Sequence, residues 1–171
     1  RCGRRQAPAP KTPKNEPDLA KCPDFTAQDV AEIKEAFDIF DHSGKGNINL
    51  FDMIGYLETL KVNEKYPTVY ALIERLQNKF PKGISFKEFV EYIQYSLGDG
   101  ETGEGLTRMF ELLDVEDKKY LDKARFHSIA REIGEHIPDE ELEEIITDYY
   151  ECPNGKVDVD AFYKFMIKST F

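Results

Sequence analysis

Residues 36–57 read "AFDIFDHSGKGNINLFDMIGYL", and the spacing within that stretch decides the fold. Phe37 and Phe40 lie on one helical face and lead into a polar run that starts at Asp41, turns at Gly46 and ends at Asp52. Met53, Tyr56 and Leu57 then resume the helical period, so the stretch reads helix, twelve-residue loop, helix. The loop carries side-chain oxygens at its first, third, ninth and twelfth positions, on Asp41, Ser43, Asn49 and Asp52. Lys45 stands at the fifth, where an ammonium replaces an oxygen. Either the loop holds an ion or it has kept only the shape of one that does.

The register recurs. With Asp41, Gln77, Asp114 and Tyr150 as equivalent loop starts, the residue four before each is Phe37, Ile73, Phe110 or Ile146. The residue just before is Phe40, Leu76, Leu113 or Tyr149, and the eighth loop position is Ile48, Ile84, Leu121 or Val157. The thirteenth residue is Met53, Phe89, Phe126 or Phe162, followed on the same face by pairs such as Ile129 with Ala130 and Phe165 with Met166. Repetition at a fixed period of about 36 residues signals one supersecondary unit copied four times. Each copy is expected to be helix, twelve-residue loop, helix. The expected fold is all-α, with two pairs of units over residues 25–96 and 106–171. Between them, residues 97–105, "LGDGETGEG", hold four glycines, Gly98, Gly100, Gly103 and Gly105, and are expected to form a flexible linker.

Residues 1–24 differ in kind. They are rich in proline and carry six Lys or Arg against three acids, which predicts a disordered basic tail of Arg-rich and Pro-rich character rather than a signal peptide. The remaining residues hold 17 basic and 30 acidic side chains, a charge of −13 on the body of a chain whose total is −10. Such a body repels nucleic acid and anionic lipid and favours a basic helix on another protein. No apolar run approaches the ~20 residues that cross a bilayer. Cys2, Cys22 and Cys152 are odd in number and lack paired spacing, so neither a disulfide framework nor a zinc site is expected. His42, His127 and His136 do not cluster with them, and no nucleophile–base order or phosphate loop can be assembled, so the chain is not expected to be an enzyme. The acids from Asp139 to Glu144 sit where carboxylates favour a helix N-terminus, and that accounts for them.

Residues 31–48, "AEIKEAFDIFDHSGKGNI", resemble the first hand of calmodulin or centrin, and residues 130–148, "AREIGEHIPDEELEEIITD", resemble the helices that precede their fourth loop. Over nearly everything after the tail, the chain resembles the calmodulin superfamily of four EF-hand proteins, among them centrins, myosin light chains and calmodulin-like subunits of ciliary complexes. The resemblance implies two EF-hand lobes. It also implies a calcium test for each loop, because that ion takes six to eight oxygens from positions one, three, five, seven, nine and a bidentate Glu at twelve, with Gly at six. In loop one, Asp41, Ser43, Asn49 and Asp52 offer side-chain oxygens and Asn47 a carbonyl, so it is the weak candidate for calcium or magnesium; otherwise no cofactor is expected. Loop two begins with Gln77, Lys79 and Pro81 at the first three ligand positions and keeps only Glu88 at twelve. Loop three has Lys118 at five, Lys119 at six and Arg125 at twelve, and loop four has Tyr150, Cys152 and Ala161 at one, three and twelve. Those three loops are expected to be free of ion.

Intact helix faces with defective loops predict a scaffold rather than an ion switch. With three Met against twelve Phe and nine Tyr, a stiff aromatic groove suits one dedicated partner better than many. By resemblance, the groove residues of the second lobe are Leu113, Phe126, Ile129, Ile145, Ile146, Phe162, Phe165 and Met166. The expected partner is an amphipathic helix of a larger cytoskeletal or motor protein, which places the chain in a larger cytoplasmic complex at a cilium, axoneme, centriole or myosin.

Overall fold

The computed structural model describes residues 16–170. Helix α1 (Ala27–Phe40) starts where Thr26 and Asp29 close a reciprocal capping box, the Asp29 amide donating to Thr26 Oγ1 at 3.2 Å and the Thr26 amide to Asp29 Oδ2 at 2.7 Å. It is followed by strand β1 (Asn47–Ile48), helices α2 (Leu50–Thr59), α3 (Val62–Lys65) and α4 (Pro67–Lys79), strand β2 (Ile84–Ser85) and helix α5 (Phe86–Leu97). The second half repeats the order with α6 (Gly103–Leu113), β3 (Tyr120–Leu121), α7 (Lys123–Glu132), α8 (Asp139–Glu144), β4 (Val157–Asp158) and α9 (Val159–Thr170). The fold is all-α; the strands are two residues each and serve to pair the loops.

Pairing happens at the eighth loop positions. β1 and β2 are antiparallel with Ile48 opposite Ile84, and β3 and β4 with Leu121 opposite Val157. All four side chains are buried, which sets the loops of each pair back to back over an apolar core. In the first core Phe37 meets Phe86 and Phe89 edge-on, with centroids 5.4 and 5.7 Å away. In the second, Phe110 meets Phe162 in the same way at 5.7 Å. Among the described residues no helix is long and apolar enough to cross a membrane.

Three expectations need correction. Residues 16–24, the end of the expected disordered tail, are structured: Leu19–Lys21 make a 3₁₀ turn capped by Asp18, and Cys22 is fully buried in the first core. Residues 1–15 lie outside the described residues. Second, the connection between the halves spans only residues 98–102, not 97–105, because Thr102 Oγ1 accepts from the Gly105 amide at 2.9 Å and starts α6 at Gly103. Gly98 (φ +69°) and Gly105 pack backbone to backbone, and a methyl group on Gly98 would collide with the Gly105 carbonyl. Close approach, not freedom, is what glycine supplies there. Arg108 braces the same joint, donating from Nε to the Tyr95 carbonyl at 3.0 Å and lying 4.6 Å from the Tyr95 ring centroid.

Third, loop two is not a twelve-residue loop. α1 and α6 stop at Asp41 and Asp114, whose carboxylates turn inward to bond amides of their own loops. Gln77 has no such alternative, so α4 runs on through Gln77, Asn78 and Lys79 and ends at Phe80. A tight turn, closed by the Gly83 amide on the Phe80 carbonyl at 3.1 Å, then reaches β2 directly.

Replacing Phe37 by Ala removes the ring that joins α1 to α5 and should lower stability by about 3–5 kcal/mol. The exposed Ile39→Ala, two residues away, should change it by no more than about 0.5 kcal/mol. Urea unfolding of the two variants beside the parent checks both values.

Candidate functional site

Loop one keeps the backbone of an ion loop but spends its oxygens on itself. Asp41 Oδ2 accepts from the Gly46 amide, at 2.6 Å, and Asp41 Oδ1 accepts from Ser43 Oγ at 2.9 Å, while Ser43 Oγ accepts from the Lys45 amide at 3.2 Å. Burial works to raise the Asp41 carboxyl, and these hydrogen bonds outweigh it and hold it below the usual carboxylate range. Asn49 caps α2 by accepting from the Phe51 amide at 3.0 Å. Ser43, Asn47, Asn49 and Asp52 nevertheless line one cleft. Among the described residues, no three His, Cys, Asp or Glu side chains converge as a metal site.

Loop three carries its own cation. Asp114, buried, accepts from the amides of Lys118 and Lys119 at 3.0 and 2.8 Å, as a loop's first aspartate does. The ammonium of Lys118 then pairs with Glu116 and lies 3.9 Å from Asp122, between the carboxylates of positions three and nine. The hydrogen bond to Glu116 raises the Lys118 pKa above its ordinary value. Lys119 holds the left-handed backbone that glycine holds elsewhere, φ +67° against +74° at Gly46. At position twelve Arg125 reaches back to the entry helix, donating from Nε to the Leu113 carbonyl at 2.6 Å. A guanidinium thus ties the exit helix to the entry helix, which is the connection a position-twelve carboxylate makes through an ion.

Loop four is replaced by packing. After α8 the chain widens into a π-turn at Ile145–Tyr149, where the Tyr150 amide bonds the Ile145 carbonyl five residues back. Tyr150 thereby enters the aromatic layer, 4.3 Å from the Phe165 centroid and 5.5 Å from that of Phe126. Burial pushes its phenol up to about 12. The residues of loops two, three and four do not fit a calcium ion.

Of the expected groove residues, Ile146 and Phe162 are buried in the second core in this structure, Phe162 edge-on against Phe110. Leu113, Phe126, Ile129, Ile145, Phe165 and Met166 are half-buried, and Tyr150 covers the Phe126–Phe165 layer. An open cleft of mixed polar and apolar lining lies in the first lobe. Its volume is ≈ 460 Å³ and Ile39, Phe40, Met53 and Tyr56 supply its apolar wall; Ile39 is 66 % exposed. The repeat marked Phe40, Met53 and Tyr56 as equivalent positions, but it does not say which lobe is covered. Only Tyr150 at a ligand position hinted at that.

Comparison with known proteins accords with this geometry. Residues 104–167 match the model of an EF-hand domain pair. "Caltractin ICL1e" of Paramecium tetraurelia is 30 % identical over 150 residues, 87 % of this chain and 84 % of that protein. "Caltractin" of Naegleria gruberi is 27 % identical, over 85 % of this chain and 84 % of its own length. "Calcium-binding protein CML19" of Arabidopsis thaliana is 25 % identical over 86 % and 88 %.

With its phenol raised from 10.0 to about 12, Tyr150 contributes stability that is complete below pH ~10 and lost as pH rises through ~12. Tyr70, hydrogen-bonded to Glu58, is raised to about 12 as well. Ultraviolet titration of the phenols should therefore show two late-ionising tyrosines, and Tyr150→Phe should remove one of them.

Proposed function

The chain belongs to the calmodulin superfamily of EF-hand proteins, and on that premise we propose that it is a non-catalytic, largely calcium-independent adaptor that grips an amphipathic basic helix of a larger protein. The observation that carries this reading is the ammonium of Lys118 seated between Glu116 and Asp122. A loop with its own cation gains nothing from calcium, and the apolar frame around it is intact. A helix-binding role is supported by the exposed Ile39 and Tyr56 in the first cleft, on a body whose charge of −13 complements a basic ligand. In the second lobe Leu113, Phe126, Ile129, Ile145, Phe165 and Met166 would join the contact once Tyr150 turns aside. The caltractin relatives support a place in a cytoskeletal assembly such as a cilium, axoneme or centriole, with a motor light chain as the related alternative.

A second reading, a low-affinity calcium or magnesium sensor in loop one, is favoured by the shared cleft of Ser43, Asn47, Asn49 and Asp52. One experiment separates the two. A labelled synthetic helix of about 20 residues, leucine on one face and lysine on the other, should bind with the same affinity in EDTA and in millimolar calcium. Binding that needs calcium, and that is lost in Asp41→Ala, would establish the sensor and overturn the adaptor.

A further inference from the structure

The α4 helix lacks a cap of its own. Tyr66 precedes it without a side-chain hydrogen bond, and Pro67 opens it. The missing acceptor comes from the other lobe: both carboxylate oxygens of Glu132, at the end of α7, lie 3.3 Å from the Thr68 amide, and Glu132 Oε1 also accepts from Thr68 Oγ1 at 3.0 Å. A carboxylate at a helix N-terminus is favoured by the exposed amides and the dipole. Glu132 is held there by Arg125, whose Nη1 donates to Oε1 at 3.2 Å and to Ser128 Oγ at 3.1 Å, and whose Nη2 donates to Thr68 Oγ1. The pair is 11 % and 9 % exposed, so salt screens it little. Nearby, Arg75 of α4 donates to the Asp114 carbonyl at 3.4 Å, a second bond across the same joint.

We propose that Arg125 and Glu132 form a latch that closes the two lobes on each other in the free chain, and that a helix gripped by both lobes must release it. The second clause rests on the adaptor reading; the first does not. Arg125 is the position-twelve residue of loop three, the place where an ion-binding hand couples its loop to its exit helix. Here the same position couples the exit helix to the other lobe. Breaking a buried pair by removing one member leaves the other charge uncompensated, so the latch is stable while complete and opens as a unit. It also gives the ion-free protein a closed state for a partner to act on, since a ligand shifts only an equilibrium whose states it distinguishes.

The test is amide exchange followed by NMR, with small-angle scattering, on the whole chain without a partner. Glu132→Ala should speed exchange of the Thr68 amide about tenfold, the loss of a charge-assisted bond, and enlarge the radius of gyration. Thr68→Val, which removes only a hydroxyl, should do the same a few-fold, with the Ile84 and Val157 amides of both cores unchanged. If both variants keep parental exchange and size, the latch is wrong. If Glu132→Ala exposes both cores, Thr68→Val decides, and parental behaviour there overturns the proposal. The opened variant should also bind the leucine–lysine helix several-fold more tightly. A helix that binds neither form counts against the adaptor reading and leaves the latch, measured without it, standing.

Discussion

Everything in this protein hangs from two cross-strand contacts, Ile48 against Ile84 and Leu121 against Val157. A single helix–loop–helix unit has one apolar face and nothing to bury it on. Joining two loops through buried residues at their eighth positions puts both faces over one core. That contact needs only apolar side chains and two backbone hydrogen-bonding strands. It asks nothing of the ligand positions, so the frame does not depend on which side chains stand there.

Loops two, three and four each place other contacts where an EF-hand loop carries its ligands. Loop two shortens because α4 continues through Gln77, Asn78 and Lys79. Loop three supplies Lys118 as a resident cation and Arg125 as a tie between helices. Loop four turns its first residue, Tyr150, into an aromatic layer. The three arrangements differ, while the paired strands and the apolar cores are common to both lobes. Loop one differs in that Ser43, Asn47, Asn49 and Asp52 line one cleft, while Asp41 bonds a loop amide as Asp114 does.

The four units and their register were legible in the sequence because a 36-residue period repeats the same burial demand at the same positions; Phe37, Ile73, Phe110 and Ile146 are all buried as expected. Local chemistry was legible too, as the Thr26–Asp29 capping box shows. What was not legible depends on distance or on competition. The latch joins residues 57 and 64 apart in the chain, and no local pattern announces such a pair. The glycines around Gly98 read as flexible because composition cannot separate a loose joint from a tight one. The placement of Tyr150 required a π-turn, which follows no residue rule, and so its cover over the Phe126–Phe165 layer was not read from the sequence.

The claim that this fold is held without an ion is tested most directly by the amide NMR spectrum of the whole chain in EDTA and in millimolar calcium. The account predicts that the amides of loops two, three and four, Gly83, Lys119 and Gly155 among them, keep their positions in both spectra. Movement of Lys119 or Gly155 with saturable dependence on calcium, accompanied by shifts along α7 or α9, would contradict it.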